Sequence, residues 1–224
     1  MGSFQLLQVE HYVQREKTIL ELCRGKKVLH LGCVGWTDLP RGDKVRMAAA
    51  SFHQSLSEVC NCTGVDIDRE TVEGLHKEGM FLNVVAGDAE RLTGDAEYDV
   101  VVAGDIIEHL SNPGCMLDGA LKVVKPGGML IVSAPNAFSL PAFTRLLAGR
   151  FREGAQHVLN FNHLTLQQLL LRHGWRPISI RGCYQKVAER QPLFALSSIP
   201  LRFLPSFAGT LLLTATTTTE FTPR

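Results

Sequence analysis

The sequence carries almost no net charge. Its 23 Lys and Arg stand against 22 Asp and Glu, a balance that excludes a nucleic-acid-coating protein or an acidic solvating one. No platform of aromatics interleaved with basic residues is available for single-strand stacking, which argues against an RNA-modifying role. No run reaches the roughly 18 uninterrupted apolar residues of a spanning helix, so a soluble chain is expected. The start, Met1-Gly2-Ser3-Phe4-Gln5-Leu6, lacks the Ser or Thr a myristoylation signal needs at its sixth position, and neither end shows another anchor or a secretory signal. Six cysteines spread over 224 residues without such a signal point to a reduced cytoplasmic compartment, not a disulfide framework. No Gly-Lys-Ser/Thr follows the first buried strand, which excludes a P-loop. Cys60-x-Cys62 has no second pair at zinc-finger spacing, so no metal site is expected.

What is present is an ordinary globular composition, long enough for a single domain with a sizeable core. The charge balance hides a split. Residues 1–136 hold 19 acidic and 13 basic side chains, residues 137–224 only 3 acidic and 10 basic.

Hydrophobic periods alternate between strand and helix. Leu6, Val9, Val13 and Leu20 predict an amphipathic helix over 5–23, and 27–31 reads as a strand ending at Gly32. An irregular polar stretch, 36–46, and a helix from Ala48 to Val59 lead to a strand ending in Gly64-Val65-Asp66, with Asp68 as the next helix N-cap. Strands follow at 81–85 and 98–103. The latter is apolar throughout, as when helices cover both faces of a parallel sheet. Asn112-Pro113 opens a helix stopped by Pro126-Gly127-Gly128, before a strand at 129–132. Thr165 is expected to cap a helix closing at Gly174. Strands at 175–181 and 211–214 complete seven, and Thr216 to Thr219 reads as a frayed tail. Strands separated by helices mean a doubly wound α/β sheet with right-handed crossovers.

Ligands of such sheets bind beyond the carboxyl ends of the strands, where strand order reverses. Three of the first four exits offer a carboxylate: Asp66, Asp88 and Asp105.

The series Val28-Leu29-His30-Leu31-Gly32-Cys33, Gly64-Val65-Asp66-Ile67-Asp68, Gly87-Asp88-Ala89-Glu90, Tyr98 to Val102, Glu108-His109-Leu110 and Lys125 to Val132 resembles, in order and spacing over roughly 25–136, the motifs of class I S-adenosylmethionine-dependent methyltransferases. The resemblance implies a Rossmann-like, doubly wound seven-stranded sheet with an antiparallel last strand. It implies one methyltransferase domain over 1–224, with a cofactor-binding core at 25–136 and acceptor-cap insertions and last strands at 137–210. S-adenosylmethionine would be the cofactor. Gly32 would approach its methionine portion, flanked by His30 and Cys33, and Asp66 with Ile67 would take the ribose. Asp88 and Ala89 would hold the adenine, and Asp105 and Ile106 would line the methionine side. His30 departs from the family's usual Asp or Glu, and of a Gly-x-Gly-x-Gly series only Gly32 is in register.

An Asn/Asp-Pro-Pro-Tyr/Phe motif for amino nitrogens is absent after the 98–103 strand, which makes oxygen the expected target. A histidine there would suit as general base. His109, in its Glu-His-Leu element, and His157, in a His-Val-x-x-Phe element resembling small-molecule and saccharide-directed members, are the catalytic candidates. His163 is expected to have a local structural role, and His11, His53, His76 and His173 to be surface or packing residues on helices. The resemblance puts the late basic residues, from Arg145 to Arg202, over the acceptor pocket, where they would favour an anionic acceptor. The apolar segment 192–207 could meet a membrane surface or an amphipathic substrate, or it could cover the sheet or a second copy. The reading is O-methylation of a small molecule or saccharide. A phenolic quinone precursor is the enzymatic alternative, and a non-catalytic cofactor-binding module the other.

Overall fold

The computed structural model describes residues 6–35, 43, 47, 51–150, 154, 156–184 and 194–217. Strand β1 (Glu10–Gln14) leads into helix α1 (Arg15–Cys23) and strand β2 (Lys27–Leu31). Helix α2 (Phe52–Val59), β3 (Asn61–Asp66), α3 (Arg69–Lys77), β4 (Val84–Ala86) and β5 (Tyr98–Gly104) follow. Then come α4 (Pro113–Val123), β6 (Val124–Pro135), α5 (Leu140–Leu147), α6 (His163–Arg172), β7 (Trp175–Tyr184), α7 (Phe194–Phe203) and β8 (Thr210–Thr217).

The strands form one eight-stranded sheet in the order β1-β7-β8-β6-β5-β2-β3-β4. All pairs are parallel except those made by β8, which runs against both β6 and β7. The doubly wound sheet with an antiparallel last strand is therefore present, with eight strands where seven are expected. Strand order reverses between β2 and β5, so the crevice sits above Gly32 and Gly104.

The apolar run of β5 serves two cores. Val101 and Ala103 pack with Leu29 and Leu31 beneath α4 and α6, whose Met116, Leu117, Leu166 and Leu170 are fully buried. Val100 and Val102 pack on the other face with Ile19 of α1 and Leu56 of α2. Trp175 is completely buried in the first core and donates its indole N–H to Leu117 O at 3.1 Å.

The extra strand is the main correction. Residues 10–14 do not continue the 5–23 helix. They pair in parallel with β7, with a register break between Glu10 and Tyr12, and Tyr12 stacks 5.1 Å from Tyr184. Phe81 sits at φ +50 in a tight turn closed by Val84 N–H to Phe81 O, so the strand expected at 81–85 starts only at Val84. Pro126-Gly127-Gly128 does not end α4, which stops at Val123; it forms a bulge inside β6 between the Tyr98 and Val100 pairings. Thr165 is not the N-cap of α6. Asn162 accepts from the Leu164 and Thr165 N–H groups, and Thr165 Oγ1 reciprocates by accepting from Asn162 N–H at 3.1 Å. Asp68 caps α3 as expected, accepting from Thr71 N–H at 3.0 Å. Thr216 and Thr217 belong to β8, paired with Met129 and Trp175. The expectations for 36–42, 44–46, 48–50, 185–193 and the tail beyond 217 lie outside the described residues.

Candidate functional site

At the exit of β2 the chain turns at Gly32, whose φ is +68 and whose N–H donates to Val65 O at 2.9 Å. A Cβ there would stand 2.9 Å from Ile106 Cδ1. Close approach and a left-handed backbone thus both require glycine. Gly32→Ala is expected to cost about 1–2 kcal/mol in backbone strain alone and to push Ile106 outward. Thermal melting checks this, and an unchanged transition would show that the turn relaxes freely.

Asp66, at the end of β3, is buried. Its carboxylate accepts from Val34 N–H at 2.8 Å and Asp68 N–H at 3.0 Å. These two bonds bridge the β2 and β3 exits and leave lone pairs on each oxygen for further donors. Asp88 accepts from Glu90 N–H at 2.8 Å and lies 3.5 Å from the Arg91 guanidinium, beside buried Ala89. Ile67 is 74 % exposed at the mouth.

Three expected cofactor contacts are engaged otherwise. His30 is buried beneath α1 and α2, its ring stacked on His53 with the Nδ1 atoms 3.2 Å apart and edge-on to Phe52. Burial, the neighbouring imidazole and Arg15 hold its pKa well below the ordinary value. Cys33 turns its thiol inward among Val72, Leu75 and Val84, which leaves only its backbone toward the crevice. Asp105, at φ +51, forms an ion pair with Arg15, which is 8 % exposed, and accepts from Ser133 Oγ at 2.7 Å. Arg15 Nη1 also donates to Ser133 Oγ at 2.9 Å. Asp105 therefore anchors the turn, with its side chain still 25 % exposed. Ile106 next to it lies against Gly32, as expected for a residue lining the crevice.

The two catalytic candidates meet. A 3₁₀ turn, Ile107–His109, follows β5, and the His109 and His157 rings stand edge to face with centroids 4.7 Å apart. Glu108, only 2 % exposed, precedes His109 in the same turn. Its backbone carbonyl accepts from Val158 N–H at 2.9 Å and Leu159 N–H at 3.2 Å, which pins the His157 segment onto the turn. Glu108 Oε1 is 4.0 Å from His157 Nε2. Ligand atoms of Glu108, His109 and His157 all lie within 4.8 Å of one another. No metal is expected from the sequence, both from the cysteine spacing and because the Asp, Glu and His residues are assigned to the cofactor, yet this grouping offers a ligand set.

The remaining histidines serve the scaffold. His76 contacts the carbonyls of Phe81 and Val84, His173 bonds Asp118 at 2.7 Å, and His163 begins α6 with burial lowering its pKa. His11 lies in β1, not on a helix. Of the late arginines, Arg176 sits at the start of β7 and Arg172 just before it, at the end of the sheet opposite the crevice, so neither caps an acceptor there. Arg145 and Arg150 follow the β6 exit; Arg152, Lys186 and Arg190 lie outside the described residues. Arg15 and Ser133 carry no sequence signal of their role, since nothing in a helix-like repeat marks Arg15 as the partner of Asp105. Among the described residues no helix is long and apolar enough to cross a membrane.

A family described as a methyltransferase domain matches residues 46–132. The ubiquinone biosynthesis O-methyltransferase of Shewanella pealeana is 28 % identical over 132 residues, 56 % of this chain and 50 % of that protein. The one from Erwinia tasmaniensis is 31 % identical over 50 % of this chain and 43 % of its own length. The chain thus spans about half the length of the curated relatives it matches. Among solved structures, an S-adenosylmethionine-dependent methyltransferase from Aquifex aeolicus superposes with a TM-score of 0.56 at 15 % identity, covering 92 % of this chain and 90 % of its own. The N-methyltransferase NodS of Bradyrhizobium japonicum, in complex with S-adenosylhomocysteine, gives 0.54 at 14 % identity over 91 % and 85 %. The motif order, the single antiparallel strand and these likenesses agree on the fold: residues 46–132 match a methyltransferase-domain family, and the chain shares its fold with solved S-adenosylmethionine-dependent methyltransferases.

Proposed function

We propose that the chain is an S-adenosylmethionine-dependent methyltransferase that methylates a hydroxyl of a small molecule, a phenol being favoured over a saccharide. The observation that carries this reading is the pair of imidazoles beside a buried carboxylate at the β5 exit. The names of the curated relatives support a phenolic acceptor.

The residues fit the cofactor. The Gly32 turn has no Cβ to obstruct close approach. The lone pairs left on Asp66 would accept from ribose hydroxyls, and Asp88 with the backbone of Ala89 would hold the adenine. When bound, the cofactor supplies an activated methyl group on a sulfonium. Ile106 would pack along its methionine side. The protein's tasks are then to align the acceptor oxygen for in-line attack, exclude water and accept the hydroxyl proton. The His109–His157 pair is the group placed to take that proton, because a neutral imidazole offers an acceptor nitrogen.

Titration calorimetry with S-adenosylhomocysteine is expected to give saturable heat, and labelled methyl transfer is expected with phenols and not with RNA. His109→Gln and His157→Gln are each expected to lower turnover by about 100-fold with cofactor affinity unchanged. Full turnover in both variants would remove the pair from the reaction. Heat without turnover on any phenol or sugar would favour the non-catalytic module.

A further inference from the structure

Resting on the methyl-transfer reading, we propose that Glu108, His109 and His157 form a binding site for one divalent first-row transition cation, which activates the acceptor hydroxyl. Two imidazoles and one carboxylate are the donor set of an open zinc site, three protein ligands with the remaining position left for water or substrate. Their ligand atoms lie within 4.8 Å of one another. Around a shared ion at about 2.0–2.2 Å, tetrahedral ligand atoms stand roughly 3.4 Å apart. The 4.0 Å between His157 Nε2 and Glu108 Oε1 therefore needs to close by only a few tenths of an ångström.

The three side chains come from two segments that are tied together. The 3₁₀ turn presents Glu108 and His109, and the backbone bonds from Val158 and Leu159 to Glu108 O hold His157 against them. Gly154 gives the His157 ring its place: a Cβ there would stand 2.5 Å from His157 Nε2. Asp105, three residues before Glu108, is not a fourth ligand, because Arg15 and Ser133 hold its carboxylate. The group follows the exit of β5, the strand paired with β2, whose own exit carries Gly32. Two nitrogen ligands select zinc or a similar ion over magnesium, which prefers oxygen.

A hydroxyl bound to such an ion is more acidic, so with the cation in place its proton passes to solvent and the two imidazoles act as ligands in place of the base role they would have without it. The oxygen lone pair then forms the O–CH₃ bond while the S–CH₃ bond breaks and its electron pair returns to sulfur. The sulfonium becomes a neutral thioether, the acceptor a methyl ether, and one proton is released. No redox partner is required.

The test titrates the full chain, stripped with a chelator, with zinc chloride and separately with magnesium chloride, and measures S-adenosylhomocysteine binding on the same samples. One zinc equivalent is expected to bind at a site that Glu108→Gln and His157→Gln each weaken by at least about 100-fold, with no magnesium heat. Cobalt in its place is expected to show d–d bands without a thiolate charge-transfer band. Zinc heat that is absent, or unmoved by both substitutions, overturns the site, as does a thiolate band, which would mean the cysteines bind the ion. His157→Gln lies in a loop, and its melting transition checks the fold if Glu108→Gln does not express. Retained S-adenosylhomocysteine binding with no zinc site would sink the cation alone, whereas loss of that binding in the parent chain would sink the methyl-transfer reading.

Discussion

Replacing Arg15 by leucine is expected to destabilise the chain by about 3 kcal/mol, the lower end of the range for removing one partner of a buried ion pair. For a chain of this size that is a fall of roughly 6–12 °C in melting temperature. The Arg15 side chain is 10 % exposed and that of Asp105 25 %, so water relieves the orphaned carboxylate only in part. The damage would not stay local. Asp105 holds a left-handed backbone at φ +51, tolerable for aspartate but not favoured, and its N–H and carboxylate are both bonded to Ser133. Without Arg15 the turn loses the charge that balances this arrangement, and Ile106 and the Glu108–His109 turn follow directly after it in the chain. Adding Asp105→Asn to Arg15→Leu removes the uncompensated charge and is expected to recover part of the loss, a coupling that a double-mutant cycle measures. Equal melting of the single variant and the parent would show that Ser133 and solvent suffice.

The strands of the crevice were the most legible elements. A parallel strand covered on both faces has to be apolar at every position, so β5 declares itself, and glycine or aspartate at an exit marks where the chain leaves the sheet. The N-terminal strand was hidden because Val9, Val13 and Leu20 happen to match a helical period, while what orders residues 10–14 is an edge of β7 supplied from far along the chain. Arg15 was hidden for the same reason. His109 and His157 could each be singled out by type and local motif, but their meeting depends on backbone bonds from Val158 and Leu159 to Glu108 O, which no local pattern encodes. His30 shows the converse. Its position in the motif series suggested a ligand contact, yet it shares the face of Val28 and Val102 under α1 and α2, and its partner His53 comes from a helix whose own pattern says only that it is amphipathic.

That buried pair makes the fold acid-labile. Burial lowers the pKa of His53 to about 4, and burial, with the neighbouring imidazole and Arg15, holds that of His30 well below its ordinary value. A histidine with a depressed folded pKa binds its proton more readily when unfolded, so the native state is fully favoured above the ordinary value of about 6.5 and loses stability as pH falls toward about 4. For His53 alone the shift amounts to about 3 kcal/mol by pH 4 and about 2 kcal/mol by pH 5. His30 steepens the loss, because the two Nδ1 atoms, 3.2 Å apart, share one proton well and two badly. Urea midpoints are therefore expected to drop steeply between pH 6.5 and pH 4. The carboxylates of Glu97 and Asp99, whose pKa values are lowered by Lys27 and Lys125, begin to contribute only at the acid end of that window, below about pH 4.5. His53→Gln cannot take up the proton and is expected to flatten the slope even if it lowers stability at pH 7.5. A parent chain whose urea midpoint stays level from pH 7.5 to pH 4.5 would mean that the pair opens to water and titrates as an ordinary surface histidine does.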